Sequence, residues 1–144
     1  MRELNRIIVH CSATTPEQDI GVEEIRKWHI DRGWSDVGYH FVICRDGGVE
    51  QGRPIERAGA HAKGWNKDSV GICLVGGVVK NDDHTLRPDA NFTLEQYNSL
   101  GGLVEMLLDT YGEMEIMGHR EVPGAHKDCP CFDVRSLLEI FTKA

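Results

Sequence analysis

A continuous apolar run in the middle of the chain restricts the folds that this sequence can adopt. Residues 69–75 read Ser-Val-Gly-Ile-Cys-Leu-Val, and Gly76-Gly77 follow directly. The run is too short for a typical helix and is rich in branched side chains, so we expect a strand buried on both faces. Such a strand needs a covering layer on each side of its sheet, which predicts an α/β fold.

The flanking segments supply further strands and the covering helices. Residues 81–91 are polar and predict an irregular segment. We expect strands at 6–10, 40–44, 49–51 and 115–118, with Asp46-Gly47-Gly48 turning a hairpin. We expect helices over 22–32, after Thr93 and after Asp133. The prediction is one catalytic domain over residues 1–144, an α/β fold with a central mixed β-sheet flanked by helices on both faces.

The second predicted helix carries its own start signals. Thr93 and Gln96 fit a capping box, and Phe92 and Tyr97 fit a hydrophobic staple. The pair Gly101-Gly102 weakens this helix by about 1 kcal/mol per glycine. We expect close packing of the pair on a sheet as the reason for its presence.

Composition excludes several classes of function. The net charge of −7 argues against a nucleic-acid binder and gives no support for attraction to anionic membranes. No stretch approaches the roughly 18 apolar residues of a membrane span, and the N-terminus lacks the apolar core of a signal peptide. Five cysteines without a secretory signal do not indicate a disulfide framework. We expect a monomer that inserts into no membrane and begins in the cytoplasm.

Three residues offer a transition-metal site. His10 ends a predicted strand, His119 follows another, and Cys129 lies in a proline-flanked loop. Two imidazoles and one thiolate suit zinc, and three protein ligands leave a fourth position open, as in catalytic sites. The spacing alone is a weak signal, because His10 and His119 also fit ordinary surface or strand-end positions.

Several motifs in fixed order strengthen this interpretation. Together they resemble the type 2 N-acetylmuramoyl-L-alanine amidases, the fold of short phage lysozymes and peptidoglycan-recognition proteins, from about Ile7 to Phe132. The likeness to the phage lysozymes is the most extensive. The motifs are Ile8-Val9-His10-Cys11-Ser12-Ala13-Thr14, Asp36-Val37-Gly38-Tyr39-His40-Phe41, Gly59-Ala60-His61, Asn66, Ser69-Val70-Gly71-Ile72, Gly118-His119-Arg120-Glu121-Val122 and Lys127-Asp128-Cys129-Pro130.

The resemblance implies a zinc enzyme that cuts the lactyl–L-alanine amide of peptidoglycan, with the metal at the floor of an open groove. It implies that His10, His119 and Cys129 bind Zn²⁺. Tyr39 and Lys127 match the catalytic tyrosine and lysine of the family. Without the resemblance, Tyr39 also fits a core position and Lys127 a solvated loop position.

The resemblance also implies a set of substrate-binding residues. His61 and Asn66 match groove positions that contact the muropeptide, and His61 alternatively only supports the site. Trp65 is predicted either to stack on a sugar face or to pack in the core.

Some features depart from the phage pattern. Cys131 stands where the phage enzymes usually carry a small residue, and it could act as a decoy ligand or as an oxidation partner of Cys129. His126 is an additional histidine in the same loop. In some phage lysozymes the corresponding face binds the phage RNA polymerase, and the short arm before the first strand argues against that function here.

The sequence leaves three functions to be separated. A phage or prophage endolysin, released to the cell wall when the host membrane is permeabilised, is the favoured one. A cytoplasmic muropeptide-recycling amidase is the second, although those relatives usually place aspartate at the position of Cys129. A non-catalytic peptidoglycan-recognition module is the third, and it would not need to keep the ligand cysteine.

Overall fold

A computed structural model describes residues 2–125 and 128–142, with side chains described as far as Glu139. Its strands, in chain order, are β1 (Arg6–Cys11), β2 (Phe41–Ile43), β3 (Val49–Gln51), β4 (Ser69–Leu74), β5 (Val78–Lys80), β6 (Leu86–Pro88) and β7 (Glu115–Gly118). Its α-helices are α1 (Val22–Asp31), α2 (Leu94–Tyr111) and α3 (Val134–Thr142). Among the described helices, none is both long enough and apolar enough to cross a bilayer.

Five strands form one mixed sheet in the order β3-β2-β4-β1-β7. The β2–β4, β4–β1 and β1–β7 pairs are parallel, and the predicted hairpin of β2 and β3 is antiparallel. All six residues of β4 are buried, and the strand lies at the centre of the sheet. The predicted α/β fold, with a mixed sheet and an apolar central strand, is confirmed.

The segment that follows β4 differs from the prediction. Residues 81–91 contain β6, which pairs with β5 as a separate two-stranded antiparallel ribbon. The sequence hides this strand because its three residues are exposed and one of them is Pro88. A strand without a buried face leaves no alternation of polar and apolar residues to detect.

Helices cover both faces of the sheet, as expected. One cluster of buried residues joins α2 and α3 to Ile7 and Val9 of β1 and to the matching side chains of β4. A second cluster joins Val22 and Ile25 of α1 to Val42 and Cys73 on the opposite face. Successive side chains of a strand point to opposite faces, so β1 and β4 each contribute to both layers.

The helix start signals act as predicted, but one of the two paired glycines, Gly102, does not. The Gln96 backbone N–H donates to Thr93 Oγ1 (3.1 Å), and the Thr93 N–H donates to Gln96 Oε1 (2.9 Å). Asp133 Oδ1 accepts from the Ser136 N–H and caps α3. Gly102, in contrast, has no other atom within 4 Å of the position a Cβ would take, so the expected close packing at this residue is wrong.

Candidate metal centre and its cleft

Two histidines meet at the carboxyl ends of neighbouring parallel strands. Val9 pairs with Gly118 across β1 and β7, so the next residues, His10 and His119, lie side by side. Their ring centroids are 4.4 Å apart. His119 begins a short 3₁₀ helix, and Glu121 in that helix accepts a hydrogen bond from the Gly118 N–H (2.7 Å). The register of β1 against β7 therefore fixes the relative positions of the first two candidate ligands, His10 and His119.

Cys129 reaches the same point from the loop before α3. The Cys11 N–H donates to Cys129 Sγ (3.0 Å), and the Arg120 N–H donates to the Cys129 carbonyl (2.8 Å). The loop also needs a glycine in β7, because a Cβ on Gly118 would lie 2.8 Å from Pro130 Cδ. Backbone contacts thus hold the thiol against the end of the sheet.

The three residues form a compact donor set. One donor atom from each of His10, His119 and Cys129 lies within 4.8 Å of the others. His10 and Cys129 are buried, and His119 is half-buried. The contact with the Cys11 thiol, together with burial, raises the pKa of Cys129 in the metal-free protein. Two imidazoles and a thiol converging at one point fit a zinc site with an open position.

The donor set lies in a cleft whose other wall is formed by α1 and the segment that follows it. Trp28 and Arg32 line this wall, and Trp34 follows on the next loop. Trp28 is 39% exposed, so an indole faces the cleft instead of the core. The sequence motifs do not assign this wall to the site, although an exposed tryptophan such as Trp28 near a helix end is an available signal.

Tyr39 is half-buried and lies between the two walls. Its ring centroid is 5.1 Å from that of His10 and 5.6 Å from that of His29. Burial, with the neighbouring thiols of Cys73 and Cys129, raises the pKa of the Tyr39 phenol well above its ordinary value. The phenol therefore keeps its proton at neutral pH, and its hydroxyl is hydrogen-bonded with the buried Cys73 thiol.

His61 also lines the cleft, but its ring nitrogens face protein atoms. Nδ1 lies 2.8 Å from His10 Nε2, and Nε2 lies 3.1 Å from Ser69 Oγ. Burial, followed by the charges of His40 and His119, lowers the pKa of His61 well below its ordinary value. This arrangement favours the supporting role over direct substrate contact, and the contact stays a prediction.

Trp65 and Asn66 do not line the metal cleft. Trp65 borders a separate surface depression, where the Arg6 guanidinium lies 4.2 Å from the centre of its ring. Asn66 Oδ1 accepts from the His61 N–H and the Ala62 N–H, at 2.8 and 2.9 Å. Both residues therefore have structural contacts, and their predicted contact with substrate stays a prediction.

Three further predictions concern the loop around Cys129. Lys127 and His126 lie outside the described residues. Cys131 lies near the centre, but its thiol points towards the Gly77 carbonyl (3.4 Å), and it does not belong to the three-residue donor set described above. The suggested roles of Cys131 as decoy ligand or oxidation partner stay predictions.

Comparison with known proteins agrees with this geometry. The sequence profile of the N-acetylmuramoyl-L-alanine amidase family matches residues 1–132. The chain belongs to that family. The amidase is 52% identical to the endolysin of Escherichia phage T7 over 133 residues, which are 92% of this chain and 84% of that one. It is 49% identical to the endolysin of Enterobacteria phage K11 over 134 residues, 93% of this chain and 85% of the relative.

A solved structure extends the likeness to the fold. The N-acetylmuramoyl-L-alanine amidase LysC from Clostridium intestinale URNW superposes with a TM-score of 0.79 at 26% identity. The match covers 99% of this chain and 87% of that one. The family and fold implied by the sequence motifs are thereby confirmed.

Proposed function

We propose that this amidase is a zinc-dependent endolysin of phage type, which hydrolyses the amide between the lactyl group of N-acetylmuramic acid and L-alanine. The observation that carries the proposal is the convergence of His10, His119 and Cys129 within 4.8 Å at one end of an open cleft. The phage relatives named above support the endolysin role. On this proposal the whole chain forms one catalytic domain and acts on the cell wall.

His10, His119 and Cys129 would hold the metal, with both imidazoles neutral and the thiol deprotonated. When bound, zinc supplies Lewis-acid polarisation of a carbonyl and lowers the pKa of water towards about 7. The donor types of this set favour zinc over the harder cations Mg²⁺ and Ca²⁺, which prefer oxygen ligands.

Tyr39 supplies a protonated phenol beside the donor set. As the scissile carbonyl becomes tetrahedral, its oxygen gains negative charge, and a hydrogen-bond donor beside that oxygen would stabilise the charge. The raised pKa of Tyr39 keeps this donor protonated over the working range of pH. Lys127 is proposed as a second, cationic partner for the same oxygen.

The wall of Trp28, Arg32 and Trp34 is proposed to hold the substrate. Indole faces pack against sugar rings and apolar peptide groups, and a guanidinium pairs with the carboxylates of an acidic peptide. Anchoring the substrate on this wall would present the lactyl amide to the opposite, metal-binding wall.

Mass spectrometry of digested, purified peptidoglycan tests the function. The expected products are stem peptides with a free N-terminal L-alanine and glycan strands of unchanged length. New reducing sugar ends or cut cross-bridges would contradict the proposal. Intact wall and soluble anhydro-muropeptides are compared as substrates, because a recycling enzyme would act on the soluble fragments alone. Elemental analysis of the same preparation is expected to find one zinc ion per chain.

A further inference from the structure

His61 stands beside His10 at the cleft, and its ring nitrogens contact protein atoms. The 2.8 Å contact between His10 Nε2 and His61 Nδ1 continues through His61 Nε2 to Ser69 Oγ at 3.1 Å. The exposed fractions of the three residues are 2%, 8% and 0%. Buried polar groups at these distances form hydrogen bonds, because a buried donor or acceptor without a partner destabilises the fold.

The sheet is shaped to hold the His61 ring. A Cβ on Gly71 of β4 would lie 2.6 Å from His61 Cγ, and one on Gly59 would lie 2.7 Å from His61 Cδ2. Asn66 accepts from the His61 backbone N–H at 2.8 Å and fixes the other side of the residue. Glycines at two positions and a side-chain cap at a third thus leave the imidazole a defined slot.

The protonation pattern of this chain of residues follows from metal binding. An imidazole nitrogen cannot bear a proton and bind a metal at once. Since His10 Nε2 is engaged with His61, Nδ1 is the atom that can bind the metal, and Nε2 must carry the proton. His61 Nδ1 then accepts, and His61 Nε2 carries the proton that is donated to Ser69 Oγ. The reverse order would place a proton on His10 Nδ1 and exclude the metal.

We propose that His61 and Ser69 are positioning residues of the metal centre. They fix the tautomer and the ring orientation of His10, so that Nδ1 is the nitrogen presented to zinc. The inference rests on the zinc dependence proposed above. Outer partners of this kind typically change metal affinity by about 10–100-fold. His61 acts through His10 and needs no contact with substrate.

Zinc affinity of the metal-stripped, full-length protein tests the proposal, with a competing chromophoric chelator as the readout. His61→Ala should weaken zinc binding by about 10–100-fold. His61→Asn should restore much of this loss, because an asparagine oxygen takes nearly the position of Nδ1. His61→Gln should resemble alanine, because its amide reaches the position of Nε2. If the residue merely filled space, the larger glutamine would restore more affinity than asparagine.

Two controls separate positioning from folding. Ser69→Ala should cause a smaller loss than His61→Ala, because it removes only the second bond. Leu107→Ala is the second control, because Leu107 lies in the apolar cluster on the other face of the sheet. It should lower the thermal stability of the protein and leave the zinc affinity unchanged. Equal loss of affinity in Leu107→Ala and His61→Ala would overturn the proposal.

The wild-type protein gives an answer that does not depend on any variant folding. Long-range ¹H–¹⁵N NMR of the zinc-loaded, histidine-labelled protein should find protons on Nε2 of both His10 and His61. In the zinc-loaded protein, a proton on His10 Nδ1 would mean that Nε2 binds the zinc, and this would overturn the positioning role. A wild-type protein that binds no zinc would overturn the proposed function itself, so the two failures are distinguishable.

Discussion

The two faces of strands β1 and β4 present different kinds of side chain. On one face, β1 and β4 present Ile7, Val9, Val70, Ile72 and Leu74, which pack under α2 and α3. On the other face, towards α1, the same strands present His10, Ser69, Gly71 and Cys73. A shift of one residue along a strand thus separates a closely packed apolar layer from a layer in which hydrogen-bonding and metal-binding groups lie beside smaller apolar clusters.

The difference shows how a small sheet accommodates buried polar chemistry. The apolar face contributes stability through burial of branched side chains, at about 25 cal/mol per Å² of apolar surface. The polar face is tolerated because its groups have partners: within the described chain, Arg6 Nε is the single buried side-chain nitrogen or oxygen without a hydrogen bond. We therefore expect stability and metal chemistry to respond to different sets of mutations.

The largest expected effect comes from the donor set. Cys129→Ala removes the thiolate, which is the only anionic member of the three donors. Zinc content should fall from one ion per chain to nearly none, and amidase activity should vanish with it. Far-UV circular dichroism should stay unchanged, because Cys129 lies in a loop outside the sheet.

Cys131→Ser is the matched control for this change. Its thiol lies two residues away and points towards the Gly77 carbonyl, so zinc content and activity should be retained. Stoichiometric zinc in Cys129→Ala, or its loss in Cys131→Ser, would show that the ligand assignment is wrong.

A substitution on the apolar face should lower stability and leave the amidase activity unchanged. Leu107 of α2 is fully buried in the apolar cluster. Leu107→Ala should lower the free energy of unfolding by about 2–5 kcal/mol, because it leaves a cavity in a packed layer. Urea unfolding measures this change, and activity per folded molecule should match the wild type. A large loss of activity in the folded fraction would mean that the two faces are coupled.

Tyr39 could serve either stability or catalysis, since it is half-buried and yet lines the cleft. Tyr39→Phe keeps the ring and removes the hydroxyl. Turnover should fall by about 10²–10³-fold if the phenol stabilises the developing oxyanion. Zinc content and melting temperature should hardly change. A melting temperature that falls while turnover stays high would assign Tyr39 to the core.

The sequence predicted the apolar face better than the polar one. The branched residues of β4, the hairpin turn at Gly47 and the Thr93 cap act through local patterns, so their structures follow from neighbouring residues. His10 and His119 were found through motifs, and their meeting depends on the register of β1 against β7, which no local pattern encodes. The exposed strand β6 was not predicted, because a strand without a buried face has no local pattern of polar and apolar residues.

The support of His10 by Ser69 and His61 was also beyond the reach of the sequence. Ser69 lies 59 positions after His10 in the chain, and the pleat of a central strand turns its side chain to the metal side. His61 was identified through its motif as a residue of the groove. The direction of its two ring nitrogens is a property of the folded slot beside Gly71.

Acid should weaken the polar face selectively. His29 and His40 are buried, and each accepts a backbone hydrogen bond at Nδ1, from Gly38 and Gly71 respectively. Burial lowers the pKa of each from 6.5 to about 4. Between these values the unfolded chain binds more protons than the folded one, so stability is lost as pH falls from about 6.5 towards 4. For one histidine, a difference between a pKa of 6.5 in the unfolded chain and about 4 in the folded one corresponds to about 3 kcal/mol in the free energy of unfolding.

Urea unfolding at several pH values, in the presence of chelator, measures this loss without a contribution from metal release. His29→Asn keeps an acceptor for the Gly38 N–H and removes the titrating group. The acid-induced loss of stability should therefore be smaller in this variant than in the wild type. The same pH dependence in both proteins would contradict the assignment of His29.

The smallest effect should come from Gly102, an exposed residue of α2. Gly102 lies inside the helix with open space where a Cβ would be placed, so Gly102→Ala meets no steric obstacle. Alanine reduces the conformational freedom of the unfolded chain and should stabilise the fold by about 0.5–1 kcal/mol. Gly112, which ends the same helix, also has open space around it, but its φ is +93°. Gly112→Ala should therefore destabilise the fold, because an L side chain is strained in that conformation. Zinc affinity should be unchanged in both variants, since α2 packs on the apolar face. If Gly102→Ala altered zinc affinity, strain would pass through the sheet, and the separation of the two faces would be incomplete.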